Sequence, residues 1–433
     1  MSIVKSTLLA ALLLLTTLAA TSPTLDVYQY HHENVLGTSF ELNVTAQSEE
    51  QADRAEEKAL AEIDRLNEIL STYSPVSEVS RWLNTQGTEQ KVSAELFEVL
   101  ALFDSWREKT DGALSASVST ASALWHEAAN QQKTPTDVEL ANAANFMKQP
   151  QWQLNASNRT ATHLTNQSLS LNTFVKSYII ERVTSKIMNE PGVRGVVVNI
   201  GGDIAVAGES TEKIRIANPT ADAENDAPLQ TVKVKNKFVA TSGNYRRGFS
   251  VNGNWYSHII DARTAIPSSE VISATVIADD AVVAGALATA FNILSPQDSD
   301  ALAARVGDVQ YQIITKDQQV ITSEGWNEWV TGERAEVELG SQPQTKFEAA
   351  IELELARFEG RFRRPFVAVW VENKKKESVR TLAVWYNKPR WLPDLKRWFS
   401  KNQEMAQDYS TLSSISSATR SPGKYTLTWN GLN

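Results

Sequence analysis

The sequence of 433 residues contains no cysteine. This absence excludes disulfide bonds, thiolate metal sites, cysteine nucleophiles and the attachment of a lipid to an N-terminal cysteine. Basic residues are fewer than acidic ones, with 42 Lys and Arg against 51 Asp and Glu, and the net charge is −9. That balance argues against a general nucleic-acid-binding protein, because neutralising phosphates requires a basic surface.

A long apolar run stands at the N-terminus, and no later segment is long and apolar enough to cross a membrane. Lys5 precedes a leucine-rich, uncharged segment that reaches Leu18 and ends in Ala19 and Ala20. The run is too short to span a bilayer comfortably and has the layout of a secretory signal. We predict that residues 1–20 are a signal peptide, and the alternative is an uncleaved anchor. The mature protein is then expected in an exported compartment, a bacterial periplasm, without a transmembrane span.

The length is too great for one ordinary core and indicates two or three domains. Residues 26–335 mix helical and strand patterns and are predicted to form an α+β domain. Residues 336–346 are polar and are predicted to be a linker. Residues 347–433 alternate apolar and polar side chains and include a hairpin pattern around a charged turn, so we expect a small β-rich, sandwich-like domain. Its last residues have the pattern of a turn before another strand, which leaves open whether this domain is complete.

Apolar spacing predicts long helices in the first domain. Residues 52–70 carry apolar side chains at helical intervals, behind the capping pattern of Ser48 and Gln51. Asn172 is predicted to cap another helix, whose apolar face continues to residue 187. Residues 281–294 contain no charged side chain, so the helix predicted there is expected to be buried on most sides.

Two patterns have the residue types that phosphate chemistry uses. The turn Gly201–Asp203, of sequence Gly-Gly-Asp, comes directly after the apolar strand Val196–Val198. Glycines in such a turn let backbone N–H groups approach a pyrophosphate. Taken alone, the pattern is more often a plain turn between strands. His258, in a later strand, is likewise more often a structural histidine when seen in isolation.

Seven short stretches of the first domain follow the order found in one known family. Along the chain they are Leu36–Thr38, Ser71–Pro75 with Ser77–Ser80 and Leu83–Asn84, Thr110–Ala113, Asn199–Ile204, Ala240–Tyr245, His258–Asp261 and Ala286–Ala290. Together they resemble the ApbE family, the FAD:protein FMN transferases. Each stretch alone is a weak signal, but seven in the same order are hard to produce by chance.

The resemblance implies an α+β flavin-transferase fold that holds FAD, the substrate, in a cleft with magnesium beside the pyrophosphate. The implied reaction moves FMN from FAD to a Ser or Thr hydroxyl of an acceptor protein in the exported compartment and releases AMP. A metal between phosphates neutralises charge that builds up on the leaving AMP. The attacking hydroxyl must lose a proton, so a base with a pKa near neutral helps.

The resemblance also implies roles for individual residues. His258 handles a proton or contacts the phosphate, and Asp261 has an orienting role. Tyr73 lies against the flavin ring, and Lys176 reaches a phosphate, although without the resemblance it is as readily a solvated helix lysine. The implied FAD-binding residues are Leu36, Gly37, Thr38, Tyr73, Ala113, Leu114, Ser115, Ser170, Lys176, Gly201, Gly202, Asp203, Ser242, Gly243 and Ile260. The implied metal ligands are Thr173 and Thr289.

Three carboxylates that the family brings to its metal are absent from this sequence. Ser115, Ser170 and Gly285 stand where the family has Asp. Hard cations prefer several oxygen ligands, some of them anionic, so a site of neutral oxygens is expected to bind magnesium weakly. Asp279 and Asp280 lie one to two helical turns away and could compensate.

These departures leave an alternative to the transferase, namely a catalytically weakened flavin-binding module or an FAD pyrophosphatase. A weaker possibility concerns the second domain, where Ser413–Thr419 resembles a degraded copy of the segment that these transferases modify. Thr419 would then be a self-flavinylation site. A Ser-rich loop before Pro422 and Gly423 is the simpler interpretation.

Overall fold

The structure is a computed structural model that describes residues 24–220, 228–245, 247–331, 349–356, 365–386, 389–403, 416–417, 423–429 and 431. The predicted signal peptide, the predicted linker and Thr419 lie outside these residues. None of the helices in the described part of the chain is long and apolar enough to cross a membrane.

The chain alternates short groups of strands with helices. The helices are α1 (Glu49–Leu70), α2 (Glu78–Leu83), α3 (Ala94–Lys109), α4 (Ser119–Gln131), α5 (Asp137–Met147), α6 (Val175–Met188), α7 (Ala281–Ile293), α8 (Pro296–Val306) and α9 (Lys396–Phe399). The strands of the first domain are β1 (Asp26–Val35), β2 (Thr38–Ala46), β3 (Glu89–Lys91), β4 (Trp152–Asn155), β5 (Thr160–His163), β6 (Val193–Ile200), β7 (Asp203–Gly208), β8 (Glu212–Ile216), β9 (Gln230–Val234), β10 (Lys237–Gly243), β11 (Gly248–Val251), β12 (Asn254–Ser257), β13 (Ile260–Asp261), β14 (Ile266–Pro267), β15 (Val271–Ala278), β16 (Gln310–Thr315) and β17 (Val320–Thr322). Those of the second domain are β18 (Ala349–Leu355), β19 (Val367–Glu372), β20 (Ser378–Trp385), β21 (Ser416–Ser417) and β22 (Gly423–Trp429).

An eight-stranded sheet in the order β1-β2-β6-β7-β10-β15-β16-β17 forms the centre of the first domain. All of its strand pairs are antiparallel. Helices α1, α6 and α7 cover one face and share the largest buried cluster with that face. The β8–β9 hairpin and Trp326 cover part of the other face. An antiparallel sheet with its helices packed on one side is an α+β architecture, which confirms the predicted fold class.

The helix ends agree with the sequence patterns in part. As predicted, α7 is buried along most of its length. Asp280 caps α7 by accepting the N–H of Val283 at 2.8 Å. The prediction that Asn172 caps α6 is wrong, because this helix begins at Val175 behind Phe174 with no side-chain cap. Asn172 donates instead to another side chain, as described below.

The second domain is β-rich, as predicted. Strands β19 and β20 pair antiparallel around the charged turn, and β18 pairs with β22. Apolar side chains of both sheets, among them Trp385 and Leu427, share one buried cluster, which is a sandwich-like arrangement. Tyr386, just after β20, contacts His31 of β1 with the ring centroids 5.3 Å apart. At this point the second domain touches the first.

Candidate functional site

Two tight turns meet at one end of the large sheet. Leu36 and Gly37, with φ of 51° and 75°, join β1 to β2, and Gly201 and Gly202, with φ of 63° and 100°, join β6 to β7. Because β2 and β6 are neighbours, the turns are in contact, and a Cβ on Gly201 would lie 2.6 Å from Oγ1 of Thr38. Positive φ and this close approach together require glycine at position 201.

The backbone N–H groups of the Gly-Gly turn are already used within the protein. Gly201 donates its N–H to the carbonyl of Ser39 at 3.1 Å. Gly202 donates to Oδ1 of Asn199 at 3.0 Å. In this conformation these two N–H groups are thus not available to a pyrophosphate, and the assignment of Gly201 and Gly202 to FAD binding stays a prediction. The glycines leave the surface of the turn free of side chains, so the negative charge of a bound phosphate has to be neutralised by other groups.

Asn199 holds this turn in place and was missed at the level of sequence. Its Nδ2 donates to Oε2 of Glu41 at 3.0 Å, while its Oδ1 accepts from Gly202. Both ends of the amide are thus bonded, which fixes its orientation. An Asn two residues before a Gly-Gly turn is the sequence signal that could have identified it.

Asp203 begins β7 and connects the turn to two helices. Ser177 of α6 donates its hydroxyl to Oδ2 of Asp203 at 3.2 Å. Burial raises the pKa of Asp203 to about 6, although the nearby charge of Lys176 and the bond from Ser177 oppose this rise. Ser177 also faces Gly285 of α7, where an added Cβ would lie 2.2 Å from the Ser177 hydroxyl oxygen. Strand β7 and helices α6 and α7 therefore converge behind the turn.

The two predicted metal ligands lie together beside Gly285. Oγ1 of Thr289 lies 3.2 Å from the carbonyl oxygen of Gly285 and 3.5 Å from that of Thr173. Because a carbonyl oxygen only accepts, the single proton of the Thr289 hydroxyl is directed to these two carbonyls. The oxygens gathered at this point are all uncharged.

The residues present do not fit a magnesium ion. Within the described ranges, no group of three or more His, Asp or Glu side chains could hold a metal. Asp279 pairs with Lys237, and Asp280 caps α7, so neither replaces the missing carboxylates. Magnesium is usually held through carboxylates together with phosphate and water oxygens. A set of neutral oxygens does not meet that requirement.

His258 follows β12, and its ring is oriented by the backbone. Its Nδ1 lies 3.0 Å from the carbonyl oxygen of Arg247. A carbonyl can only accept, so Nδ1 carries the proton and Nε2 has an available lone pair. Burial lowers the pKa of His258, and the charges of Arg247 and Lys176 lower it further, while the bond to the carbonyl acts in the opposite direction. The lowered pKa favours the neutral imidazole, whose Nε2 can accept a proton.

Lys176 links the histidine to the Gly-Gly-Asp turn. It lies in the first turn of α6, half-buried, directly before Ser177. Its charge lowers the pKa of both Asp203 and His258. The charge of Lys176 therefore acts on Asp203, at the end of the turn, and on His258.

Asp261 binds Arg263, two residues further along the chain. Its carboxylate accepts from the backbone N–H of Arg263 at 2.9 Å and pairs with the guanidinium at 2.8–3.1 Å. Arg263 was not recognised from the sequence. Asp261 thus orients the loop after β13 through Arg263, and its predicted role in the site stays a prediction.

Tyr73 presents its ring openly beside the start of α6. The residue is 80% exposed, and its hydroxyl accepts from Nδ2 of Asn172 at 2.8 Å. An aromatic ring anchored at one edge and otherwise exposed can serve as a stacking surface for a planar ligand.

The remaining predicted residues lie around the same region. Ala113 and Leu114 are almost fully buried, so only their backbone is left for a ligand. The carbonyl of Ala113 accepts from Ala262, which follows Ile260 and Asp261 in the strand after His258. Ser170 donates its N–H to Ala116 at 2.7 Å, next to Ser115. The carbonyl of Ser242, beside Gly243, accepts from Asn292 of α7 at 2.9 Å.

A sequence profile of the ApbE family matches residues 36–313, which is more than half of the chain. The chain belongs to the ApbE family. A second profile, described as a predicted periplasmic protein (DUF2271), matches residues 348–433. The boundary between the two profiles falls close to the linker predicted from composition.

Relatives and solved structures agree with this membership. The FAD:protein FMN transferase of Haemophilus influenzae is 28% identical over 305 residues, covering 66% of this chain and 86% of the relative. That of Vibrio cholerae is 28% identical over 307 residues, covering 68% and 88%. The ApbE protein of Thermotoga maritima has a similar fold, with a TM-score of 0.62 at 23% identity over 71% of this chain and 100% of that chain. The apo flavinyl transferase ApbE of Pseudomonas stutzeri has a TM-score of 0.58 at 20% identity over 71% and 98%.

Proposed function

We propose that this ApbE-family chain is a FAD:protein FMN transferase, which moves the FMN half of FAD to a Ser or Thr hydroxyl of an acceptor protein and releases AMP. The observation that carries the proposal is that the charge of Lys176 acts on both Asp203 of the Gly-Gly-Asp turn and His258, and we place the FAD cleft between these two segments. Curated relatives named for this activity match over most of their own length.

The residues of the cleft can perform the transfer as one displacement at phosphorus. The hydroxyl oxygen of the acceptor attacks the phosphorus of the FMN half, and its proton passes to Nε2 of His258. The bond between that phosphorus and the bridging oxygen breaks, and its electron pair leaves with AMP. A neutral imidazole with a fixed tautomer suits the base of this step. Tyr73 provides a stacking surface for the isoalloxazine ring.

The rest of the chain fits an exported enzyme of two domains. We place the transferase domain in residues 26–335 and the β-rich domain in residues 347–433, joined by the linker at residues 336–346. The signal pattern of residues 1–20 and the match to a predicted periplasmic family both support an exported location. The acceptor is then a protein of the same compartment.

Transfer can be measured with purified full-length chain, FAD and an acceptor polypeptide that carries an Asp…Ser/Thr-Gly-Ala-Thr segment. We expect AMP and a flavin-fluorescent acceptor band in equal amounts. AMP without a labelled acceptor would make the chain a pyrophosphatase, and bound FAD without AMP would make it a binding module. His258→Asn is expected to abolish transfer while FAD stays bound. His126→Asn, in an exposed position of α4, is the control that should keep full activity.

A further inference from the structure

Gly285 and Ser177 face each other across the contact between α7 and α6. A Cβ at position 285 would lie 2.2 Å from Oγ and 3.0 Å from Cβ of Ser177, and 3.5 Å from Cβ of Phe174. The first distance is shorter than a carbon atom tolerates and the second is tight, so a side chain at position 285 requires Ser177 to move from its present place. With Ser177 where it stands, the carboxylate that the family's metal would require does not fit.

The hydroxyls around this contact are engaged with the protein. Ser177 donates to Asp203, and Thr289 directs its proton to the carbonyls of Gly285 and Thr173. With glycine at position 285 in place of the family's Asp, the Ser177 hydroxyl packs against α7. The contact between Ser177 and Gly285 is therefore closed and contains no charged group of its own. A site of this kind gives a divalent cation no anionic ligand of its own apart from the already bonded Asp203.

Lys176, directly before Ser177 in α6, brings a positive charge to this part of the fold. Among the residues that the structure describes, the Lys176 ammonium makes no hydrogen bond and no close ion pair, although it is half-buried. An ammonium is a strongly hydrated point charge with three hydrogen-bond donors. Removing part of its hydration without providing an acceptor costs free energy. The charge of Lys176 acts on Asp203 and on His258, the two sides between which the proposed function places the pyrophosphate.

We propose that this chain binds the pyrophosphate of FAD through the Lys176 ammonium and without a divalent metal, and that Ser177 and Gly285 close the position of that metal. The inference rests on the proposed function, since it assigns the charge that neutralises the same dinucleotide. Arg247, whose carbonyl orients His258, brings a second positive charge to the cleft. Two monovalent cations that belong to the chain then supply the charge of one divalent ion.

The test is a titration of the full-length protein with FAD, followed by quenching of flavin fluorescence, in EDTA and in Mg²⁺ at equal ionic strength. We expect the same dissociation constant within about twofold in both buffers. Binding that tightens tenfold or more in Mg²⁺ would overturn the inference and leave the proposed transferase standing. The absence of FAD binding in both buffers would overturn the transferase, and the inference with it.

Lys176→Met is expected to weaken FAD binding by roughly 10- to 100-fold, since a charged hydrogen bond to phosphate is lost. Lys176→Arg keeps the charge and should lose less. Lys186→Met, on the same helix and paired with Glu62, is the matched control and should leave the affinity unchanged. Unchanged affinity in Lys176→Met would contradict the inference.

The closure of the metal position can be reversed by design. Ser177→Gly combined with Gly285→Asp removes the overlap and adds a carboxylate, and we expect its FAD binding to become at least several-fold tighter in Mg²⁺ than in EDTA. Ser177→Gly alone is the control and should stay independent of Mg²⁺. If the folded double variant shows no Mg²⁺ dependence, Ser177 and Gly285 are not what closes the position.

Discussion

The contact between Ser177 and Gly285 makes a prediction about stability that does not depend on function. Gly285→Ala would place a Cβ 2.2 Å from the Ser177 hydroxyl. Overpacking of this kind costs about 1–3 kcal/mol. Rotation of Ser177 away from the overlap would break its bond to Asp203 at a similar cost, about 1–3 kcal/mol. Alanine in a helix regains about 1 kcal/mol over glycine. Either cost less the helix gain leaves an expected loss of about 0–2 kcal/mol in the free energy of unfolding.

In a chain that already carries Ser177→Gly, Gly285→Ala should change the free energy of unfolding in the opposite direction. Without the hydroxyl and its Cβ the overlap disappears, so Gly285→Ala should then stabilise by up to about 1 kcal/mol through helix propensity. The assay is urea unfolding of the four proteins of this cycle, compared through midpoints at unchanged slope. Ser185→Gly, exposed on the same helix, measures the helix cost of replacing Ser by Gly alone. If the changes in the free energy of unfolding from the two single substitutions add up to that of the double variant within about 0.5 kcal/mol, the packing described here is refuted.

Three further predictions concern single side chains. Because burial lowers the pKa of His258, the transfer rate should be constant around neutral pH and fall only below about pH 6.5, the usual pKa of histidine. A fall in the rate centred above that pH would argue against His258 as the base. Tyr73→Ala should weaken FAD binding by roughly 5- to 100-fold through lost stacking, whereas Tyr73→Phe should not, and equal affinities in fluorescence titrations would rule out the flavin contact. With a pKa of about 6 in the folded state, Asp203 binds more protons there than in the unfolded chain between about pH 4 and 6, so stability should fall as pH rises through this window. Asp203→Asn should flatten that dependence in urea unfolding and raise stability at pH 7 by up to about 3 kcal/mol, and a variant less stable than the parent at pH 7 would contradict the burial argument.

Patterns confined to one element predicted the structure well. The charge-free segment that became α7 is buried, and the alternating segments around the charged turn formed the hairpin β19–β20. The order of seven motifs identified the family, whose profile matches residues 36–313. In each case a short segment of the sequence, or a motif, is enough to make the prediction.

Contacts between distant residues explain what the sequence could not predict. Asn172 has the residue type of a helix cap, but the hydroxyl of Tyr73, far away in the chain, is its partner. The glycines of the turn looked like phosphate donors until Asn199 and Ser39 were found to accept their N–H groups. Tertiary packing decides which of several possible hydrogen-bond partners a group takes, and a local sequence pattern contains no information on that packing.

The most direct test of the central claim is a crystal structure of the His258→Asn chain with FAD bound in the presence of EDTA, since this variant should bind FAD without cleaving it. We predict the pyrophosphate between the Gly201–Gly202 turn and position 258, with Nζ of Lys176 about 3 Å from a phosphate oxygen and no metal beside Thr289. FAD bound outside this cleft, or a pyrophosphate beyond the reach of Lys176, would contradict the account.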